Sequence, residues 1–221
     1  MKKLVVIAGP NGSGKSSSYN EICSHPDFPQ LFICPDDLAN SEQYLAIPDV
    51  VDRYRKAMSD CEDLRNIAIA KGLSLAFETV MSTESKIDYL RYARSNGYYI
   101  ELVFICTSDP AINITRITQR VNSGGHGVPP EKVIARYHRC LKLLPEAIIL
   151  ADVAKIFDNS GTHPILGYYK RWNQPPVLLN REIRPGWIET AIVSPLIDRD
   201  ILSSRPEDLS VEDTEILLAN Q

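Results

Sequence analysis

A glycine-rich motif lies close to the start of the chain and reads Gly9-Pro10-Asn11-Gly12-Ser13-Gly14-Lys15-Ser16, followed by Ser17. The residues before it, 4–8, form an apolar and β-branched run, which predicts a strand buried on both faces. Residues 15–24 predict a helix. The pattern Gly-x-x-x-x-Gly-Lys-Ser between a strand and a helix is typical of the P-loop, whose backbone binds nucleotide phosphates.

The chemistry of the motif gives its residues separate roles. Glycines let the backbone fold so that successive N–H groups point at phosphate oxygens, and the start of the helix adds a favourable dipole. We expect Lys15 to reach the β- and γ-phosphates of ATP, and the hydroxyl of Ser16 to hold Mg²⁺. A glycine-rich turn without a ligand is the alternative. The predicted ATP-binding residues are Gly9, Pro10, Asn11, Gly12, Ser13, Gly14, Lys15, Ser16 and Ser17.

Strand and helix patterns alternate beyond the motif. This alternation predicts an α/β fold, a P-loop nucleotide-kinase-like parallel sheet of about five strands with helices on both faces. Apolar runs predict the further strands at residues 31–34, 73–77, 98–106 and 153–157. Helical spacing and capping residues predict the further helices at 49–71, 82–97, 109–121 and 130–144.

The chain divides into two predicted parts. Residues 1–170 form a P-loop kinase-like domain, with a helical lid at about 109–144. Residues 171–221 form a C-terminal acidic appendage, whose structure the sequence does not predict. The acidity is concentrated late, because residues 188–221 carry eight Asp or Glu against two Arg.

Composition limits the class of protein. The 221 residues carry a formal net charge of −4, which argues against nucleic-acid and membrane binding, since both favour a basic surface. Five scattered cysteines without a Cys-x-x-Cys pair predict buried thiols in a reducing compartment. The apolar run at the start is too short for a signal peptide, and no later run reaches the roughly 20 residues of a membrane span. We therefore expect a cytoplasmic protein.

Two predicted strands end in acidic residues. In an open parallel sheet, substrates bind at the carboxyl edge of the strands. Asp36 follows the second strand and is our candidate to accept the proton of an attacking hydroxyl. Glu78 and Thr79 end the third strand and are candidates to bind the acceptor. A helix N-cap or a solvated turn is the alternative for Asp36 and its neighbour Asp37.

A basic segment follows, with six Lys or Arg against one acid between residues 111 and 142. Arg116 and Arg120 share one face of a helix, and Arg136 and Arg139 share a face of the next. We expect these helices to form a lid whose arginines stabilise charge on a transferred phosphoryl group, with solvated arginines as the alternative. His126 lies in the glycine-rich loop between the helices, and we expect it to be part of a lid hinge or to contact a phosphate. The turn at residues 158–161 suits either an adenine contact or a plain turn.

In these motifs, the first 170 residues resemble the zeta-toxin family of P-loop kinases, in its compact bacterial branch. The motifs that carry the resemblance are residues 9–17, Pro35-Asp36-x-Leu38-Ala39, Phe77-Glu78-Thr79, Arg120-Val121-x-x-Gly124-Gly125-His126-x-Val128-Pro129 and Arg136-Tyr137. The resemblance implies phosphorylation of the 3′-hydroxyl of UDP-N-acetylglucosamine by ATP with Mg²⁺, and an antitoxin protein as a possible partner. By position, Asp36 matches the family's substrate-activating aspartate and Glu78 and Thr79 match a substrate-contacting segment. Arg120 and Arg136 match its phosphate-clamping arginines. With Lys15 of the P-loop, Asp36, Arg120 and Arg136 are the predicted catalytic residues.

Three functions remain open at this point. The leading hypothesis is an ATP-dependent kinase, a phosphotransferase that acts on the hydroxyl of a small-molecule acceptor. The alternative is a P-loop ATPase module that drives or switches a partner protein, but residues 148–153 lack the Asp-Glu pair that such a module needs. The third is a nucleotide-binding interaction protein whose acidic tail docks a basic partner.

Overall fold

An eight-stranded sheet forms the centre of the protein, described by a computed structural model at residues 1–17, 26–123, 127–179, 185–203 and 206–209. Its strand order is β2-β3-β1-β4-β5-β6-β7-β8. The strands are β1 (Lys3–Ala8), β2 (Leu31–Ile33), β3 (Leu75–Thr79), β4 (Tyr99–Cys106), β5 (Val153–Asp158), β6 (Ile165–Arg171), β7 (Val177–Leu179) and β8 (Glu207–Leu209).

The first five strands in the sheet order, β2-β3-β1-β4-β5, are all parallel to one another, as the alternating pattern predicts. The predicted parallel α/β fold is therefore confirmed. The sheet continues further than the predicted five strands, because β6 and β7 add antiparallel strands and β8 then pairs in parallel with β7. Strand β6 pairs along the side of β5 that the parallel sheet would leave as an open edge, and open edges invite pairing.

Helices connect the strands and flank the sheet. Residues 15–17 are helical directly after the glycine-rich loop. Among the described residues, no helix is long and apolar enough to cross a membrane. The other helices are α1 (Pro35–Ala39), α2 (Glu42–Leu45), α3 (Val50–Ala70), α4 (Glu84–Ser95), α5 (Pro110–Asn122), α6 (Pro130–Leu150), α7 (Gly186–Ile188), a π-helical turn (Glu189–Val193) and α8 (Ser194–Asp198).

Helix α6 continues past its predicted end near residue 144. It contains Pro145 and ends at Leu150. Proline lacks the N–H that an internal helical residue donates, which usually costs about 3 kcal/mol. The residues on both sides, Leu144 and Ile148, are buried in the main core, and their packing carries the helix through the proline. Two side chains then hold the last carbonyls of α6: Lys170 Nζ donates to Ile148 O at 2.7 Å, and Arg94 Nη1 donates to Leu150 O at 2.8 Å.

Alternate residues of the central strands face two hydrophobic clusters. Leu4 and Val6 of β1 lie in the large cluster that also contains the buried side chains of α4 and α6. Ile7 lies in a smaller cluster with Val103 and Ile105. Because β1 is buried on both faces, the loop at its end has a rigid support.

The C-terminal helical segment, residues 186–198, packs into the large cluster as well. Its buried members Trp187, Ile188, Ile192, Val193 and Leu196 contact the same core as α6. The predicted domain boundary after residue 170 falls within β6, and this division of the chain stays a prediction. The part of the predicted appendage at 186–198 thus has regular structure and shares a core with the residues before it.

Candidate active site

The P-loop, residues 9–16, joins the end of β1 to the start of a helix, which is the context that its motif requires. Gly12 and Gly14 have φ values of +75° and +95°, in the left-handed region that favours glycine. Neither has room for a side chain. A Cβ at Gly12 would lie 2.7 Å from the carbonyl oxygen of Asn113, and one at Gly14 would lie 2.2 Å from Asn159 Nδ2. The glycines therefore allow two asparagines to touch the loop.

Lys15 is buried beneath this loop. Its Nζ donates to the carbonyl oxygens of Gly9 at 3.0 Å and Pro10 at 2.9 Å. Burial lowers the pKa of Lys15, while the carboxylate of Glu78, 3.9 Å away, opposes part of that shift. Two of the partners of the Lys15 ammonium are neutral carbonyls, and the carboxylate of Glu78 is 3.9 Å away. A buried positive charge is stabilised by a nearby anion, and the anions that a P-loop binds are phosphates.

The hydroxyl of Ser16 donates to Glu78 Oε2 at 3.1 Å. Hydroxyl and carboxylate oxygens are hard ligands of the kind that Mg²⁺ takes, at about 2.0–2.1 Å in octahedral geometry. Two ligands in adjacent octahedral positions would then be about 2.9 Å apart, close to the observed separation. Ser16 and Glu78 thus fit a shared Mg²⁺, which gives Glu78 a second possible role beside its predicted contact with the acceptor.

Two asparagines from outside the motif hold carbonyl groups of the P-loop. Asn113 Nδ2 donates to Asn11 O at 2.7 Å, and Asn159 Nδ2 donates to Ser13 O at 2.8 Å. In a trans peptide the C=O and the following N–H point in opposite directions. Holding these two carbonyls outwards therefore turns the N–H groups of Gly12 and Gly14 away from the asparagines, and this is how a phosphate nest is formed.

Asn113 is not among the site residues that the sequence motifs predict. This residue is fully buried on α5, and its amide oxygen accepts from the hydroxyl of Thr107, so both ends of the amide are bonded. A polar residue on the apolar face of an amphipathic helix, one turn before Ile117, is the signal that could have identified it.

Replacing Asn113 by Leu is expected to weaken ATP binding by about tenfold, because one hydrogen bond that orients the loop is lost. Leucine keeps the branch at Cγ and removes both polar atoms. Calorimetric titration with ATP and Mg²⁺ measures the effect. The control is Thr118→Val on the same helix, which removes only a bond to Ile114 O at the exposed side. Equal affinities of the two variants would contradict a role of Asn113 in the loop.

Helix α6 reaches the tip of the P-loop. Arg136 Nη1 donates to Asn11 Oδ1 at 3.1 Å, and Tyr137 OH donates to Thr107 O at 2.6 Å. Arg120 is exposed on α5, and its charge contributes to the lowered pKa of Lys15. The structure thus brings Arg136, one of the predicted catalytic residues, into contact with the P-loop, and the role of Arg120 stays a prediction.

The other two predicted lid arginines differ from these. Arg116 Nη2 donates to Gly161 O at 3.2 Å, and Arg139 is exposed on α6. The turn that contains Gly161 has Asp158 accepting from the backbone N–H of Ser160 at 2.9 Å, as in an Asx turn. An adenine contact at this turn stays a prediction. The loop at 124–126, with His126, lies outside the described residues.

The predicted acceptor-binding residues lie at the same edge of the sheet. Asp36 is exposed in the first turn of α1, directly after β2, and the N-cap of that helix is Cys34. The N-cap alternative for Asp36 is therefore wrong, whereas a solvated turn is compatible with its exposure. Thr79 is half-buried as the last residue of β3, which lies between β2 and β1. Ser17 is exposed in the first helical turn after the P-loop.

The chain is similar in sequence to a known protein. No family model matches the chain. An uncharacterized protein of Haemophilus influenzae is 34% identical over 139 residues, which are 61% of this chain and 92% of that protein. At this level of identity and coverage, the two chains are members of one family.

Three solved structures are similar in fold at low sequence identity. A structure of the PezAT chromosomal toxin–antitoxin system of Streptococcus pneumoniae matches with a TM-score of 0.53 and 16% identity, over 74% of this chain and 72% of that chain. The native AvrRxo1-ORF1:-ORF2 complex matches with a TM-score of 0.63 and 15% identity, over 87% and 71%. The same complex with ATP matches with a TM-score of 0.58 and 16% identity, over 76% and 58%. The chain belongs to the same family as the Haemophilus influenzae protein, and its fold is similar to those of the PezAT and AvrRxo1 structures.

Proposed function

We propose that this protein is an ATP-dependent kinase that transfers the γ-phosphoryl group to a hydroxyl of a small molecule. The observation that carries the proposal is the contact of Arg136 with Asn11 at the tip of the P-loop. The contact brings a cationic side chain from α6 to the tip of the loop that we propose binds the phosphates. A protein that only bound nucleotide would not need a second cation there. A protein that catalyses phosphoryl transfer needs one to stabilise the charge on the transferred group.

Each residue then has a defined task. The P-loop N–H groups and Lys15 hold the β- and γ-phosphates of ATP. Ser16 and Glu78 are the residues that would hold Mg²⁺, which would neutralise charge on the phosphates. Asp36 accepts the proton of the acceptor hydroxyl. At the same time the oxygen of that hydroxyl forms a bond to the γ-phosphorus, and the bond between the γ-phosphorus and ADP breaks. Arg120 and Arg136 stabilise the charge on the group in transit. Glu78 and Thr79 lie where they can also orient the acceptor.

The resemblance to zeta toxins makes UDP-N-acetylglucosamine the first acceptor to test. The PezAT structure is named as one of a toxin–antitoxin system, and the AvrRxo1 structure is named as an ORF1:-ORF2 complex. An antitoxin-like protein that covers the site is accordingly part of the proposal.

Incubation with ATP, Mg²⁺ and a panel of sugar nucleotides, followed by mass spectrometry, tests the function. A product heavier by one phosphoryl group supports a kinase. Release of ADP and free phosphate with every acceptor would instead favour the ATPase alternative and would overturn the proposal.

Replacing Asp36 by Asn is expected to lower transfer by about 10²-fold, because the amide cannot accept the hydroxyl proton. ATP affinity should stay unchanged, since Asp36 lies two strands away from the P-loop strand β1. The chain offers a matched control in Asp37→Asn, an exposed carboxylate in the same helical turn. If both variants transfer at the wild-type rate, Asp36 is not the base.

A further inference from the structure

The C-terminal helical segment inserts one polar contact into the catalytic half of the protein. Trp187 lies in α7 and is 8% exposed. Its indole Nε1 donates to Asp158 Oδ2 at 2.7 Å. Asp158 is 3% exposed and is the last residue of β5. A buried carboxylate needs donors, and the indole supplies one from a segment distant in sequence.

The next residue, Asn159, connects this contact to the P-loop. Its backbone N–H donates to Cys106 O at 2.7 Å, which ties it to the end of β4. Its side-chain amide donates to Ser13 O, and its Nδ2 occupies the space where Gly14 would otherwise carry a Cβ. The orientation of the Ser13–Gly14 peptide therefore depends on where Asn159 lies.

Asp158 sets the position of Asn159 through the turn that they share. Asp158 Oδ1 accepts from the N–H of Ser160 at 2.9 Å, and Oδ2 accepts from the Ser160 hydroxyl at 3.0 Å as well as from Trp187. The indole thus fixes the rotation of the carboxylate, and the carboxylate fixes the turn.

The segment that carries Trp187 is itself held firmly. Its neighbour Ile188 is fully buried, and its Cδ1 lies 2.1 Å from where a Cβ of Gly167 would be, so β6 and α7 are in direct contact. Only glycine at position 167 permits this approach. Trp187 is consequently anchored to the sheet on one side and to Asp158 on the other.

We propose that Trp187 is a positioning residue for ATP binding, acting through Asp158 and Asn159 on the Ser13–Gly14 peptide of the P-loop. The inference rests on the proposed function only in that the P-loop must bind ATP. It assigns the C-terminal helical segment a part in the nucleotide site, and any ligand or partner that displaces the segment would also weaken ATP binding.

The two tryptophans of the chain allow a direct test. Trp172 is 53% exposed, and Trp172→Phe leaves Trp187 as the single tryptophan, whose emission is measured at an excitation wavelength that tyrosine does not absorb. Titration of this variant with ATP and Mg²⁺ should change the Trp187 emission with saturation, at the dissociation constant that calorimetry gives for the wild type. Adding Asn159→Ala cuts the connection without altering Trp187, and the emission should then no longer respond to bound ATP. A response that persists in this double variant would overturn the proposal.

Affinity provides the second measurement. Trp187→Phe keeps an aromatic ring in the core, removes the indole donor and is expected to raise the ATP dissociation constant by about five- to tenfold. Because Trp187 and Asn159 act in series, Trp187→Phe should weaken binding little further once Asn159→Ala is present. Additive effects, or wild-type affinity of Trp187→Phe, would contradict the coupling. If the wild type itself binds no ATP, both the proposed function and this inference fail. If the wild type binds ATP and Trp187→Phe binds it equally well, only this inference fails.

Discussion

Lys15→Met is expected to lower phosphoryl transfer by about 10³-fold, because one side chain supplies the positive charge for both the β- and γ-phosphates. Methionine has a similar length and no charge, so the change removes the electrostatic interaction and retains most of the buried volume. Transfer is measured with saturating ATP and with the acceptor found in the panel. A rate within tenfold of the wild type would contradict the role of Lys15.

Lys170→Met is the matched control. Lys170 is also a partly buried lysine whose Nζ donates to backbone carbonyls, those of Ile148 and Ala151, and burial lowers its pKa. It lies at the end of α6 that is remote from the P-loop. We expect its replacement to lower the free energy of unfolding, since carbonyls at the helix end lose their donor, and to leave transfer at the wild-type rate.

The pH dependence of stability separates the charge of Lys15 from its other effects. Its folded pKa lies below its ordinary value of 10.5, so the unfolded chain binds this proton more tightly. The contribution of Lys15 to the free energy of unfolding therefore rises with pH from the lowered pKa up to 10.5. Urea unfolding over this range should show that the free energy of unfolding of the wild type increases with pH relative to that of Lys15→Met. A constant difference would mean that the pKa is not lowered.

Gly14→Ala is expected to weaken ATP binding by about 10³-fold. The backbone at Gly14 has φ of +95°, and the added methyl would lie 2.2 Å from Asn159 Nδ2. Left-handed strain and the collision together cost about 4 kcal/mol, which corresponds to about a thousandfold in affinity if the loop must leave its conformation. Calorimetric titration with ATP measures the loss.

Gly97→Ala isolates the contribution of the backbone. Gly97 has φ of +74°, and nothing lies within 4 Å of where its Cβ would be. This variant should lower the midpoint of thermal unfolding slightly and keep full ATP affinity. In Gly14→Ala, the further change Asn159→Ala removes the colliding atom, so the double variant should bind no more weakly than Gly14→Ala alone. Full ATP affinity of Gly14→Ala would show that the loop does not bind phosphate in this conformation.

The sequence was sufficient to predict the parallel part of the sheet. The five runs that predict β1 to β5 are short, apolar and separated by helical patterns, and strands buried on both faces have this signature. The added strands β6 to β8 were missed because they come after the last such alternation. Strand β6 contains Gly167 and ends in Lys170 and Arg171, so its sequence lacks a continuous apolar run.

The candidate site could be predicted only as far as local motifs reach. Lys15 and Ser16 lie within one motif, and Glu78 was placed near them by the general geometry of parallel sheets. The contact of Asn113 with Asn11 joins residues 102 positions apart, and that of Trp187 with Asp158 joins residues 29 apart. No periodicity encodes such pairs, since each depends on how two elements pack in three dimensions.

The shared core of residues 186–198 has a consequence for the newly made chain. The P-loop is synthesised long before Trp187, Ile188 and Leu196, and these later residues complete the core that supports α6 and β6. Domains fold as units once their contacts are available. The nascent chain should therefore acquire a competent nucleotide site only after residues 186–198 have been synthesised, and a product terminated before them would carry the motif without its activity.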